Sequence, residues 1–449
     1  MSHTSDRRSF LKNLTAAGVA LATGSTAAAE PAVPPRAGKS VAGMAAPKLD
    51  TVRIGLVGVG GRGTSQLGEL LLLDGVAIKA ICDTVPAKVD HAADMVVKKG
   101  QPKPEAYTNG PEDFKRLCDR DDLDLVYICT PWRWHVPMAV DAMNKGKHAA
   151  VEVPAAVTLD ECWQLVDTSE AAQKHCVLLE NCCYSPEALM MLNLARQGVL
   201  GELLYAEGAY LHDLRSELFS GAGEGLWRID EHVKRNGNLY PTHGLGPIAQ
   251  CLGINRGDRF DYLTSVSTPS RGLQDFAKRL PDTNKWKNGT FACGDRNTSL
   301  IQTANGRVIN LQHDTCNPQP YSRLDLLQGT RGVFRGYPDR IFIEGISKTE
   351  DYGPLSDFSK YDHPLWTKLE AEAKKAGGHG GMDFVLNWRL IQCLRGGLPL
   401  DSDVYDAAAW SAVSALSEQS VATAGQPASF PDFTRGGWKT TPPLGIAGT

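Results

Sequence analysis

The clearest chemical signal in this 449-residue chain is Gly58-Val59-Gly60-Gly61-Arg62-Gly63. Gly58, Gly60 and Gly63 fit G-x-G-x-x-G, and Asp83 follows the last glycine by 20 residues. A dinucleotide site needs this spacing. The first glycine makes a tight turn, the second lets the backbone approach a pyrophosphate, and the third lets helix and strand pack closely. The pyrophosphate then rests on a helix N-terminus, where free N–H groups favour negative charge. An acid at Asp83 would bond the adenine-ribose hydroxyls and repel a 2′-phosphate, which selects NAD over NADP. Metal chemistry has no comparable signature: the cysteines show no C-x-x-C spacing.

The surrounding elements must hold that motif at the end of a strand. Val52 to Val57 reads as an apolar strand, a helix starts near Thr64, and Val76 to Cys82 is the strand that delivers Asp83. Leu123 to Cys129 is a continuous apolar run, as a buried parallel strand requires. Shorter strands at His148 to Val151 and Val177 to Leu179 lead into Glu152-Val153-Pro154 and Glu180-Asn181. With helices between them, these predict a doubly wound Rossmann domain over 51–185, binding its ligand beyond the strand ends. After about residue 200 the strands follow one another, from Leu203–Leu211 to Gly332–Arg335. Residues 186–449 therefore read as an α+β domain with helices on a largely antiparallel open sheet. Its C-terminal segment is free to return to the first domain.

Composition sets the class. Hydrophobic content of 42%, charged content of 22% and a net charge of −4 describe a soluble globular chain. Without a long basic run, neither nucleic acid nor an anionic membrane is an expected partner. Eleven cysteines cannot all pair internally, and scattered as they are they read as small buried apolar residues. At the N-terminus, Arg7-Arg8, an apolar run from Leu14 to Ala22 and Ala27-Ala28-Ala29 describe a twin-arginine export signal over 1–29. The run is too short for a stable membrane span. Residues 30–50, rich in Pro, Ala and Gly, predict a flexible linker. Export machinery is thus an expected partner, and the location periplasmic or extracellular. That route carries folded proteins, and free NAD is not expected outside the cytoplasm. NAD is then expected to stay bound and to regain its redox state in every turnover.

Thr130-Pro131, Glu152-Val153-Pro154 and the strand-rich second half resemble the glucose–fructose oxidoreductase/inositol dehydrogenase superfamily. In its dehydrogenases the tripeptide is Glu-Lys-Pro, and the lysine manages the hydroxyl proton. Here that position is Val153. The superfamily also places an acid four residues before a histidine that matches His243, where this chain has Leu239. One branch shares the pattern. Trp132-Arg133-Trp134-His135, Glu180-Asn181, Trp227-Arg228, Tyr240-Pro241-Thr242-His243, Gln319-Pro320-Tyr321 and Gly378-His379-Gly380-Gly381-Met382-Asp383 resemble glycoside hydrolase family 109. The likeness runs over roughly residues 50 to 440. Family members are NAD-dependent N-acetylgalactosaminidases. The resemblance implies that Gly61, Arg62, Asp83, Trp132, His135, Glu152, Val153, Asn181 and Tyr240 line the NAD site. It implies that Tyr210, Arg228, Tyr240, Pro241, Thr242, His243 and Tyr321 bind a glycan or glycoside.

The implied reaction removes a terminal N-acetylgalactosamine by transient oxidation at C3, elimination at C1, water addition and re-reduction. His243 is the first choice for acid/base work, because imidazole titrates near working pH. Tyr240, three residues earlier, would share its side of a helical turn; Tyr184 is an alternative. Glu152 reads equally as a nicotinamide-ribose contact or a proton acceptor. Blander readings stand beside these: His243 as a helix cap, Tyr210 and Tyr321 as sheet-face aromatics, Arg228 as a surface partner of Trp227. A plain NAD-dependent sugar oxidoreductase and a non-catalytic sugar-binding protein with structural NAD are the competing functions. A homo-oligomer is compatible with all of them.

Overall fold

The computed structural model describes residues 33–348 and 350–448, so the export-signal reading of residues 1–29 lies outside the described residues. A first sheet is built from six parallel strands: β1 (Val52–Val57), β2 (Val76–Cys82), β3 (Glu105–Tyr107), β4 (Leu125–Ile128), β5 (His148–Val151) and β6 (Cys176–Leu178). Their order, β3-β2-β1-β4-β5-β6, is that of a doubly wound dinucleotide-binding sheet. All four residues of β4 and of β5 are buried, because helices cover both faces. Helix α1 (Gly61–Leu70) follows β1, α2 (His135–Asn144) follows β4, and α3 (Leu159–Ala172) follows β5. A capping box starts α3: Thr158 and Glu161 each satisfy the other's backbone N–H.

The second sheet has nine strands. Its centre is β7 (Leu203–Leu211), which pairs in parallel with β10 (Val308–Asp314) and antiparallel with β11 (Leu326–Gly329). The remaining pairings, among them β9 (Asn297–Thr303) with β10, are antiparallel, so the sheet is mixed around one parallel junction. Helix α4 (Arg228–Lys234) and helix α5 (Thr242–Leu252) precede β8 (Phe260–Ser267). Helix α5 lies directly on β7. A Cβ on Gly208 would come within 2.2 Å of the Gly244 carbonyl, and one on Gly244 within 2.3 Å of the Ala209 nitrogen. Only glycine at both positions permits this approach, and it sets His243 against Tyr210.

Two long helices, α6 (Met382–Gly396) and α7 (Val404–Ala422), return to the first domain. On α6, Asn387 bonds Gln66 of α1 at 2.6 Å and Tyr127 of β4 at 2.9 Å. On α7, Trp410 and Tyr405 are among the largest fully buried side chains. One continuous hydrophobic core therefore runs through both sheets.

Residues 33–50 correct the flexible-linker expectation. They form a strap on α3 and α7: Val41 is buried, and Ala45 bridges to Pro399. The cause is Glu170, a fully buried carboxylate on α3. Arg36 pairs with it from the strap, Arg435 at 3.0 Å from the C-terminal segment, and Tyr405 bonds it at 2.6 Å. A buried carboxylate must be compensated, and composition alone does not reveal that the cation lies in the strap.

Candidate active site

The glycine loop meets the demands of a dinucleotide. Gly58 has φ 85°, and a Cβ there would meet the Cys129 carbonyl oxygen at 2.6 Å. A Cβ on Gly63 would lie 1.8 Å from the Gly58 oxygen, so loop and helix touch. Gly60 and Gly61 face open space, with nothing within 4 Å of Gly61 and only the Lys88 Nζ at 3.9 Å from Gly60. Helix α1 starts there without a side-chain cap, leaving its first N–H groups for a ligand. Asp83 holds this loop: Oδ2 accepts from Val59 N at 2.9 Å and Oδ1 from Val85 N at 2.9 Å. Each oxygen keeps a lone pair for ribose hydroxyls. The residues fit NAD.

Arg62, beside the open glycine turn, is committed to two carboxylates. Its Nε donates to Glu152 Oε1 at 2.6 Å, and its terminal nitrogens donate to Asp383 at 2.8 and 3.0 Å. Asn181 Nδ2 also donates to Asp383, at 2.8 Å, and His379 Nδ1 lies 2.7 Å from it. Burial alone would raise the Asp383 pKa; His379 and Arg62 reverse this and hold it well below the usual carboxylate range. Asp383 thus fastens two segments of the cofactor site, those of Arg62 and Asn181, to helix α6. Sequence reasoning quoted this residue within a motif but gave it no role. Gln66 Nε2 adds a bond to Glu152 Oε1 at 3.2 Å, leaving Oε2 the less engaged oxygen, 3.4 Å from Val153 N.

His135 is fully buried, with Nδ1 2.7 Å from the Pro154 carbonyl and Nε2 2.7 Å from the Thr130 carbonyl. Burial lowers its pKa, and a neutral ring donates to one of the two. Its side chain ties the two strand-end loops together. Val153 is buried and contributes only hydrocarbon at the lysine position. Tyr184 is directed away, its hydroxyl 3.2 Å from Asp401.

On the facing side, the aromatic residues converge. Tyr240 lies 4.7 Å from Tyr210, 4.9 Å from His243 and 5.8 Å from Trp132, which it stacks upon, measured between ring centroids. Arg228 sits above Tyr240 at 4.7 Å and above Trp132 at 5.3 Å. This arginine is buried, and only Nη1 is bonded, to Glu224 at 2.6 Å. Its Nε and Nη2 have no partner in hydrogen-bond geometry. Buried donors of this kind await an acceptor. Tyr321 is exposed and lies 6.1 Å from Tyr210. Pro241 precedes helix α5, and Thr242 is fully buried behind it, so the pocket-facing groups of that motif are Tyr240 and His243.

Glu180 gives His243 its character. Its Oε1 is 2.7 Å from His243 Nδ1, across 63 residues of sequence. Burial would lower the imidazole pKa, but neighbouring Cys182 and Glu180 raise it to about 10. Of these two, Glu180 is the group whose carboxylate the geometry fixes against the ring. Burial likewise opposes the charge on Glu180, and His243 overcomes it, keeping the pKa low. His243 therefore rests as an imidazolium. Glu180, Cys182 and His243 also place O, S and N atoms within 4.8 Å of one another. A 2.7 Å separation is a hydrogen bond; two ligands on tetrahedral zinc stand roughly 3.3 Å apart. Tyr240 and Tyr210 keep their protons, since burial pushes Tyr240 well above the phenol range and Tyr210 to about 12.

Comparison with known proteins agrees with this division. Residues 52–180 match a family described as an oxidoreductase family with an NAD-binding Rossmann fold, and residues 184–440 match the C-terminal domain of glycosyl hydrolase 109. A glycosyl hydrolase family 109 protein of Shewanella pealeana is 52% identical over 454 residues, covering 99% of each chain. One of Shewanella baltica is 52% identical over 457 residues, covering 99% of this chain and all of the other. In fold, the chain is similar to levoglucosan dehydrogenase in complex with NADH (TM-score 0.64, 18% identity, 85% of this chain and 99% of that one). It is similar to an inositol dehydrogenase homologue with NAD+ from Azotobacter vinelandii (TM-score 0.64, 17% identity, 88% and 100%). NAD is the cofactor of the N-terminal domain. No helix among the described residues is long and apolar enough to cross a membrane. With both halves of the chain matched and half its residues shared with full-length relatives, the protein belongs to glycosyl hydrolase family 109.

Proposed function

We propose that this glycoside hydrolase removes terminal N-acetylgalactosamine from glycans through a transient 3-keto sugar, with NAD retained throughout. The observation that carries the reading is Val153, a buried hydrocarbon at the position where a dehydrogenase keeps its lysine. NAD, when bound, supplies a reversible acceptor for the hydride of C3. A ketone at C3 acidifies the C2 proton, so the C1 substituent leaves by elimination, water adds to the enone, and restoring the C3 hydroxyl completes a hydrolysis without net redox change.

The chain's own residues divide the proton work. Glu152 Oε2, the freer oxygen beside Val153, accepts the hydroxyl proton. His243, resting as an imidazolium against Glu180, gives its proton to the leaving oxygen and as the neutral ring takes the C2 proton; in the addition it returns that proton to C2 and takes one from the entering water. Tyr240 and Arg228 donate hydrogen bonds to the oxygens on which enolate charge develops. Retention of NAD is supported by Asp383, which pins Arg62 and Asn181 from another part of the chain. The twin arginines support export, in which a retained cofactor is required.

Incubating the purified protein with p-nitrophenyl N-acetyl-α-galactosaminide tests the reaction. Nitrophenol should be released with no build-up of NADH. A steady accumulation of NADH without nitrophenol would sink the glycosidase reading in favour of an oxidoreductase.

A further inference from the structure

We propose that Tyr321 and Tyr337 form a second sugar subsite, which holds the neutral hexose to which the terminal amino sugar is linked. The proposal rests on the glycosidase reading and deepens it. Aromatic rings run outward from the acid/base pair in an unbroken series. His243 to Tyr210 is 5.4 Å, Tyr210 to Tyr321 is 6.1 Å, and Tyr321 to Tyr337 is 6.0 Å between centroids. Tyr210 is buried, whereas Tyr321 and Tyr337 are 37% and 38% exposed. The series therefore starts in the pocket and ends at the surface, as a track for more than one sugar ring would. Aromatic side chains offer a sugar both an apolar face and a polar tip.

The two outer rings are held from beneath. Arg323, only 4% exposed, places its guanidinium 5.9 Å from the Tyr321 ring and 5.5 Å from the Tyr337 ring. Its Nη1 lies 3.4 Å from the Tyr321 hydroxyl, and Nη2 pairs with Asp325 at 3.3 Å. Arg323 Nε and Asp325 Oδ1 have no hydrogen-bond partner. The backbone here is forced as well: Leu324, Asp325 and Tyr337 have φ of 64°, 46° and 53°, values that side chains disfavour. Gly336 N bonds the Asp325 carbonyl at 3.1 Å, locking the two turns together. Strain gathered at one spot and fixed by a buried ion pair marks a functional surface rather than two stray exposed tyrosines.

Charge selects the occupant. Arg323 is balanced by Asp325, and Asp339 and Glu187 add negative charge nearby. A sialylated or sulfated ring would be repelled, whereas a neutral hexose such as galactose meets rings and hydroxyl-binding groups alone.

The test compares two substrates with the full-length, NAD-loaded protein. One is methyl N-acetyl-α-galactosaminide, which lacks a second ring. The other is the disaccharide N-acetyl-α-galactosaminyl-(1→3)-galactose. In Tyr337→Ala, kcat/KM for the disaccharide should fall roughly tenfold, the loss of one aromatic contact, with the methyl glycoside within about twofold of wild type. Tyr337→Phe should restore most of the disaccharide activity. Equal losses on both substrates, or no loss on the disaccharide, overturn the subsite. If the wild-type protein hydrolyses neither, the glycosidase reading fails instead. Saturation-transfer NMR on the same disaccharide then decides the subsite separately. Signal on the galactose ring that disappears in Tyr337→Ala supports it, and its absence from wild type overturns it.

Discussion

On the cofactor side, Arg62 is bonded to Glu152 and Asp383, Asn181 to the same Asp383, and His135 sits between two carbonyls and donates to one. On the substrate side, Arg228 has one partner, Glu224, and two nitrogens with none; His313, fully buried near Tyr210, has both ring nitrogens unbonded. The first region uses its side chains on one another and offers the ligand backbone N–H groups and open space at Gly60 and Gly61. The second leaves two arginine nitrogens and a whole imidazole unbonded. A site that retains its ligand, as proposed for NAD, can be finished before that ligand arrives. One that admits and releases a sugar in every cycle must keep its bonding capacity for each new guest.

The sharpest way to break this comparison is His243→Ala. Turnover should fall on the order of a thousandfold, while the NAD released on denaturing the protein stays stoichiometric. Loss of NAD along with activity would show that the two sides are not separable. Asp383→Asn should do the reverse. It weakens the fastening of Arg62 and Asn181, so NAD should be held about tenfold less tightly or worse, read by absorbance of the protein purified without added cofactor. Sugar binding by NMR should be unchanged.

A smaller effect is expected in the pH profile of Glu180→Gln. His243 is raised above its ordinary pKa of about 6.5, so its ion pair adds stability below that value and loses it as pH rises through about 10. Activity that needs the imidazolium falls on the same alkaline limb. Removing the Glu180 charge should move that limb down by roughly 1–3 pH units. A limb that stays in place would detach Glu180 from His243. The smallest change is expected from Val153→Ala, with turnover within about twofold and a stability loss of about 1 kcal/mol by thermal unfolding. A large loss of turnover would give Val153 a role beyond filling space.

Local features were legible in the sequence, and distant pairings were not. Gly58 to Asp83 is one βαβ unit whose turn, helix start and strand end follow from neighbouring residues, and the structure keeps every part. Strand β3 escaped notice because it has three residues, two of them exposed. Arg323 lies just outside a strand: β11 begins at Leu326, since Leu324 and Asp325 turn back at positive φ, which no local residue pattern announces. The partnership of Glu180 with His243 spans 63 residues, and that of Arg62 with Asp383 spans 321. Neither motif carries a local sign of its partner. Arg36 lies in a stretch whose composition suggests a linker, because the carboxylate that captures it lies on a helix far along the chain.

The position of Asp383 also bears on when the protein becomes functional. The chain emerges from the N-terminus, and the Rossmann half can fold while the rest is still being made. Its NAD site still lacks a fastening group until residue 383 of 449 has been synthesised and helix α6 has docked. On the retention proposed above, firm capture of NAD is a late event, and a molecule that holds it tightly is one whose translation and docking are complete. Bound NAD would report, to any step that accepts only finished molecules, that this one is ready.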